Sequence, residues 1–148
     1  MGNKKPTVFS ILVGTNDASS CVKRREGLSV KGFEEKYRSF LYELKMRIPN
    51  VRLIIGQPFR YLPPADKIEN QEHTELCKKI VDEVCFRAEV IKRIAVDFDA
   101  IYVRFWDAID KYARYCPIEK LVLDGCHPTY IGHGIMAQTW LESVEKYW

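Results

Sequence analysis

Residues 8–17 read VFSILVGTND. Val8 to Val13 is a nearly unbroken apolar run ended by Gly14, and its length and β-branched residues suit a strand buried on both faces of a parallel sheet. In such sheets the loops at the carboxyl ends of the strands gather on one edge, where binding and catalytic groups collect. The quartet Gly14-Thr15-Asn16-Asp17 follows this strand directly and so falls at that edge. Taken alone it reads equally well as an ordinary strand-to-loop turn, because Gly tolerates positive φ and Asn and Asp bond their own backbone.

Outward from this strand the elements alternate. Phe33, Tyr37, Phe40, Leu41, Leu44 and Ile48 recur at helical spacing and are stopped by Pro49-Asn50. Val51 to Gly56 repeats the strand pattern and closes at Gln57-Pro58. A polar loop through Pro63-Pro64 leads to a long helix with Leu76, Ile80, Val84, Ala88, Ile91 and Ala95 along one side. Phe98 to Phe105 reads as a third strand, Trp106 to Tyr115 as a short helix and Tyr130 to Tyr147 as the closing helix. This order predicts an α/β fold with a parallel sheet. No repeat or low-complexity segment interrupts it.

A chain of 148 residues with 47% hydrophobic content predicts a single domain over residues 1–148. Its formal net charge of +3 is mild, and the basic residues are scattered along helices without a basic run interleaved with aromatics, so nucleic-acid binding is not expected. The apolar runs are of strand length, well below the ~18 residues of a membrane span, and a soluble protein is expected. The five cysteines, Cys21, Cys77, Cys85, Cys116 and Cys126, form no C-x-x-C pair and read as reduced thiols. MGNKKPT lacks the apolar core of a signal peptide, and Pro6 stands where a myristoylation signal would carry Ser or Thr. A cytoplasmic setting is therefore expected if the chain is complete, and a secreted one stays open if a segment precedes Met1.

The second informative stretch is DGCHPTYIGHG, Asp124 to Gly134. Its plain reading is a polar loop in which the Thr129 hydroxyl caps the last helix. Its functional reading is a carboxylate three residues before a histidine, able to accept from one ring nitrogen and leave the other free to take a proton. Asn16 complements such a base, since an amide at a strand end can donate to an oxyanion developing in acyl transfer. A metal set of Asp124, Cys126, His127 and His133 is the competing reading; none is expected to be bound.

GTND after a buried strand, together with DGCHPTYIGHG opening the final helix, resembles the third and fifth motif blocks of the SGNH, or GDSL-type, hydrolases. GFEEKYRSFLYELKMRIPNVRLIIGQPF between them resembles the family's helix and fourth strand. The resemblance implies a flavodoxin-like three-layer parallel sheet and a cofactor-free serine ester hydrolase acting on small acyl or acetyl esters, acetylated carbohydrates among them. It implies that His127 is the general base, Asp124 its orienting acid, Asn16 an oxyanion-hole donor, and Gly14 the residue that permits its turn. Gly132 and His133 match a following pair with a structural role in packing and helix entry.

The family's nucleophile is the serine of a Gly-Asp-Ser block on the first strand, and no such block occurs here. The nucleophile is thus unknown, the first two strands of the fold are expected to be missing, and the chain as given is expected to be nearly inactive. Ser19 and Ser20, just past the Asn16 turn, are the serines nearest in sequence. In the family's strand order 2-1-3-4-5, Val8 to Val13 becomes an edge, uncharged and apolar, which predicts a homodimer or aggregation through it. A remnant domain that binds a carbohydrate or a partner chain without catalysis is the alternative function. Trp106 and Tyr130 are read as core residues, with a sugar-cleft lining as their other role.

Overall fold

The computed structural model describes residues 6–24 and 27–147. The N-terminal residues read above for a leader or lipid signal lie outside them, apart from Pro6 and Thr7. The described chain runs β1 (Val8–Ile11), α1 (Thr15–Arg24), α2 (Val30–Arg47), β2 (Arg52–Gly56), α3 (Gln71–Asp97), β3 (Ile101–Val103), α4 (Phe105–Ala113) and α5 (Tyr130–Glu145). Single 3-10 turns at Ala65–Lys67 and Ile118–Lys120 stand in the two long connections.

The three strands form one parallel sheet in the order β1-β2-β3. Val8 pairs with Arg52 and Ile11 with Ile55, while Ile54 pairs with Ile101 and Gly56 with Val103. Because side chains alternate along a strand, β2 sends Leu53 and Ile55 to one face and Ile54 to the other. On the first face they meet Phe33, Tyr37 and Leu41 of α2 and Val90, Ile91 and Ile94 of α3. On the second, Ile54 meets Ile109 of α4 and Ile135 and Val144 of α5. The result is the three-layer α/β arrangement expected of a parallel sheet. Burying each such Ile or Leu contributes about 1.5–3 kcal/mol, so β2 is the spine of the core.

The helices start where short polar side chains can hold their unpaired amides. Ser29 Oγ accepts from Gly32 N at 3.2 Å, Asn70 Oδ1 from His73 N at 2.8 Å, and Thr129 Oγ1 from Gly132 N at 3.1 Å. Thr129 therefore caps α5 as its plain reading has it.

Several expectations are corrected. The first strand ends at Ile11, not Val13, and its residues are only partly buried apart from the exposed Ser10. It lies at the sheet edge with β2 on one side, so it lacks the second neighbour that full burial requires. GTND does not open a loop: Thr15 begins α1, an element the periodicity did not show, since its ten residues carry few apolar positions. The third strand shrinks to Ile101–Val103, because Phe98 still caps α3, Asp99 turns the chain at φ 50°, and Phe105 already belongs to α4. α4 ends at Ala113 and α5 at Glu145, two residues short of their expected limits.

Candidate active site

The first wall of the site is the turn after β1. Gly14 adopts φ +119°, where a side chain is strained, and a Cβ there would stand 3.5–3.6 Å from the Phe33 ring tip, Pro58 and Ile91. Its carbonyl accepts from Ala18 N at 3.1 Å, so Gly14 closes the first turn of α1. Ala18 is fully buried against Ile80 and Val84 of α3, which fixes the helix axis. Thr15 Oγ1 donates to the Phe59 carbonyl at 3.3 Å and ties the turn to the segment after β2. Asn16, the second residue of α1, is exposed on the cleft, and its side-chain amide bonds to none of the described residues. The amides of this first helical turn have no partner four residues back, so they add donors near the same place.

The second wall is the loop before α5, folded around Asp124. Asp124 Oδ1 accepts from the amides of Cys126 at 2.9 Å and His127 at 2.8 Å, and Oδ2 lies 2.8 Å from His127 Nδ1. Partial burial pushes the Asp124 carboxyl up, but the His127 amide, the His127 ring and the Cys126 amide outweigh it and hold the group well below the usual carboxylate range. An ionised carboxylate can only accept, so the ring proton belongs on Nδ1 and Nε2 is left with a free lone pair. Gly125 makes the tight loop with φ +81°, and a Cβ there would stand 2.3 Å from the Tyr61 carbonyl oxygen. Tyr61 N also donates to the Gly125 carbonyl at 2.8 Å, so the segment after β2 braces the loop. Gly132 has its expected packing role, since a Cβ there would meet the Leu121 carbonyl at 2.1 Å.

Between these walls lies a cleft of about 360 Å³ lined by Gly14, Asn16, Asp17, Cys126, His127 and His133, among others. The four residues singled out by sequence thus converge: Gly14, Asn16 and His127 on the cleft, and Asp124 behind His127. His133 lines the cleft as well, which goes beyond the packing role expected of it. Phe59 and Met136 also line it and were not foreseen; Phe59 follows the carboxyl end of β2, the one positional signal that could have found it.

The other side chains singled out from the sequence lie elsewhere. Ser19 and Ser20 sit on α1 and do not line the cleft. Trp106 is half-buried and packs against the core as expected, lining a separate depression with Arg60, Tyr61 and Lys78 and not the cleft, whereas Tyr130 is 98% exposed, in neither core nor cleft. Among the described residues no group of His, Cys, Asp and Glu stands close enough to hold a metal, so the competing metal set does not assemble.

The chain matches the model of the GDSL-like lipase/acylhydrolase family over residues 1–140 and belongs to that family. Among solved structures it is similar to a GDSL-like lipase candidate from Parabacteroides merdae, with a TM-score of 0.81 and 25% identity over 95% of this chain and 61% of that one. It is similar in fold to LAE5, an alpha/beta hydrolase from the metagenome of Lake Arreo, at TM-score 0.73 and 20% identity over 95% and 61% of the two chains. It is similar in fold also to Axe2, an acetylxylan esterase of Geobacillus stearothermophilus, at TM-score 0.70 and 23% identity over 95% and 60%. Forms of Axe2 described as catalytic mutants carry a serine-to-alanine or an aspartate-to-alanine change. The chain therefore spans about 61% of the length of the structures it matches best among these. No curated protein shows a significant match.

Proposed function

We propose that the protein is a serine-type ester hydrolase that removes small acyl or acetyl groups, with acetylated carbohydrates as its candidate substrates. The observation that carries this reading is the His127–Asp124 pair, with its ring nitrogen held at 2.8 Å, sharing one cleft with Asn16. In the proposed reaction a serine Oγ attacks the ester carbonyl carbon and His127 Nε2 takes its proton. Asp124 stabilises the imidazolium, and the Asn16 amide donates to the oxyanion, a contribution typically of ~2.7–4 kcal/mol to the barrier. The alcohol leaves with the proton from His127, and water repeats the sequence on the acyl-enzyme to release the acid. The modest cleft volume suits a small acyl group, as does the acetyl ester on which Axe2 acts.

Among the described residues no serine lines the cleft. Because members of a triad act as a unit, we further propose that these 148 residues alone are nearly inactive, the nucleophile having to come from another segment. Exposure of the folded chain to a fluorophosphonate, read by intact mass beside His127→Ala, is expected to give no adduct; a stoichiometric adduct lost in the variant would show a recruited serine and overturn the inactivity. The hydrolase reading is tested by fusing to this chain the Axe2 segment that carries the serine altered in its catalytic mutant. Ester hydrolysis that vanishes on His127→Ala is expected, and hydrolysis indifferent to His127 would sink it.

A further inference from the structure

We propose that Arg87, on α3, is a positioning residue for the turn that presents Asn16. The proposal rests on the oxyanion role given to that turn above. Arg87 is fully buried, the only charged side chain in the core among the described residues. Its Nη1 donates to the Glu83 carbonyl at 3.1 Å and to the Glu83 carboxylate, and its Nη2 donates to the Leu28 carbonyl at 2.8 Å. Its guanidinium also lies 5.5 Å from the centre of the Phe33 ring. The tip of that ring is in turn one of the three atoms nearest to where a Cβ on Gly14 would stand, 3.5 Å away, and Ile91, four residues after Arg87 on the same face of α3, supplies another at 3.6 Å.

Burying a guanidinium is costly, and an apolar residue of similar volume commonly does as well or better for stability. What an apolar residue cannot do is bond the Leu28 carbonyl and orient the Phe33 ring by its charge at the same time. Leu28 precedes Ser29, the cap of α2, so one side chain sets both where α2 begins and where its first buried ring points. Glycine at position 14 supplies no side chain of its own to hold the turn. The space that a side chain there would fill is walled by Phe33, Pro58 and Ile91. The cation under Phe33 therefore keeps the ring, and with it the Gly14–Asn16 backbone, from relaxing into the core.

The test is a set of amide spectra of the 148-residue protein carrying Arg87→Met, Phe33→Leu or both. In Arg87→Met the backbone amides of Gly14, Thr15 and Asn16 and the Asn16 side-chain amide are expected to move by more than their line widths, while those of Gly125 to His127 stay in place. Phe33→Leu is expected to move the same turn resonances, and the double variant to add nothing beyond the larger single change. A merely structural arginine would give shifts spread over both walls, or none at the turn, and additive effects in the double variant; either result overturns the proposal. Should Arg87→Met fail to fold, Arg87→Lys, which keeps the charge but loses the paired donors, is expected to shift the turn alone, and an unmoved turn in that variant overturns the proposal. These readouts do not depend on hydrolysis, so a failure of the esterase reading would leave their outcome intact and separately visible.

Discussion

At the scale of single residues the loop from Asp124 to His127 is held by one carboxylate making three hydrogen bonds, two to amides and one to the ring. Since the folded Asp124 is depressed below its unfolded value, its contribution is present above the unfolded value, and it is lost as pH falls through the lower folded one. A downfield Nδ1 proton of His127 is therefore expected to persist through the ordinary carboxylate range, to fade only in stronger acid, and to be absent in Asp124→Ala; proton spectra across an acid titration check both. Gly125→Ala combines a left-handed φ with a Cβ facing the Tyr61 carbonyl at 2.3 Å. It is expected to cost at least about 2 kcal/mol, read as a lowered urea midpoint. Sequence made the Asp124–His127 pair legible because a spacing of three on a tight loop is a local property. It could not show that Gly125 owes its identity to Tyr61, which is distant in sequence.

At the scale of elements α1 and α5 do the positioning. α5 begins at Thr129, whose hydroxyl accepts from Gly132 N at 3.1 Å and donates to the Lys120 carbonyl at 2.7 Å. Thr129→Ala is expected to cost about 1 kcal/mol, with the loss measured by denaturant unfolding. α1 was not legible, because its apolar stripe, Ala18, Cys21 and Val22, is a single turn long, too short to stand out, with Ala18 and Val22 reaching the α3 cluster. This matters for the site: the backbone of Asn16 is set by a helix axis and not by a loop. Ala18→Leu, inserted where Ala18 is fully buried, is expected to destabilise by about 1–3 kcal/mol and to disturb the Asn16 resonances with it. The long helices α2 and α3 were legible because their apolar positions recur at helical spacing over many turns.

For the whole molecule the sheet has an uncharged edge at β1, where the exposed ring of Phe40 of α2 lies 5.8 Å from that of Phe9. Its backbone groups on the side away from β2 have no partner strand in the described sheet. We propose that this edge self-associates. Sedimentation is expected to show concentration-dependent assembly that Ser10→Lys suppresses, since a lysine on an edge strand disfavours further pairing; a chain monomeric at every concentration would count against it. The sequence by itself determined the α/β class, the order of the strands and long helices, the cap of α5 and the acid–histidine pair, because each follows from spacing within a short stretch of chain. Only the tertiary structure decided that Gly14 and Asn16 share a cleft with His127, that Phe59 and Met136 join them, and that a buried Arg87 meets the Phe33 ring. Those relations arise when a parallel sheet brings the carboxyl ends of distant strands to one edge, and no local pattern encodes which side chains will then face one another.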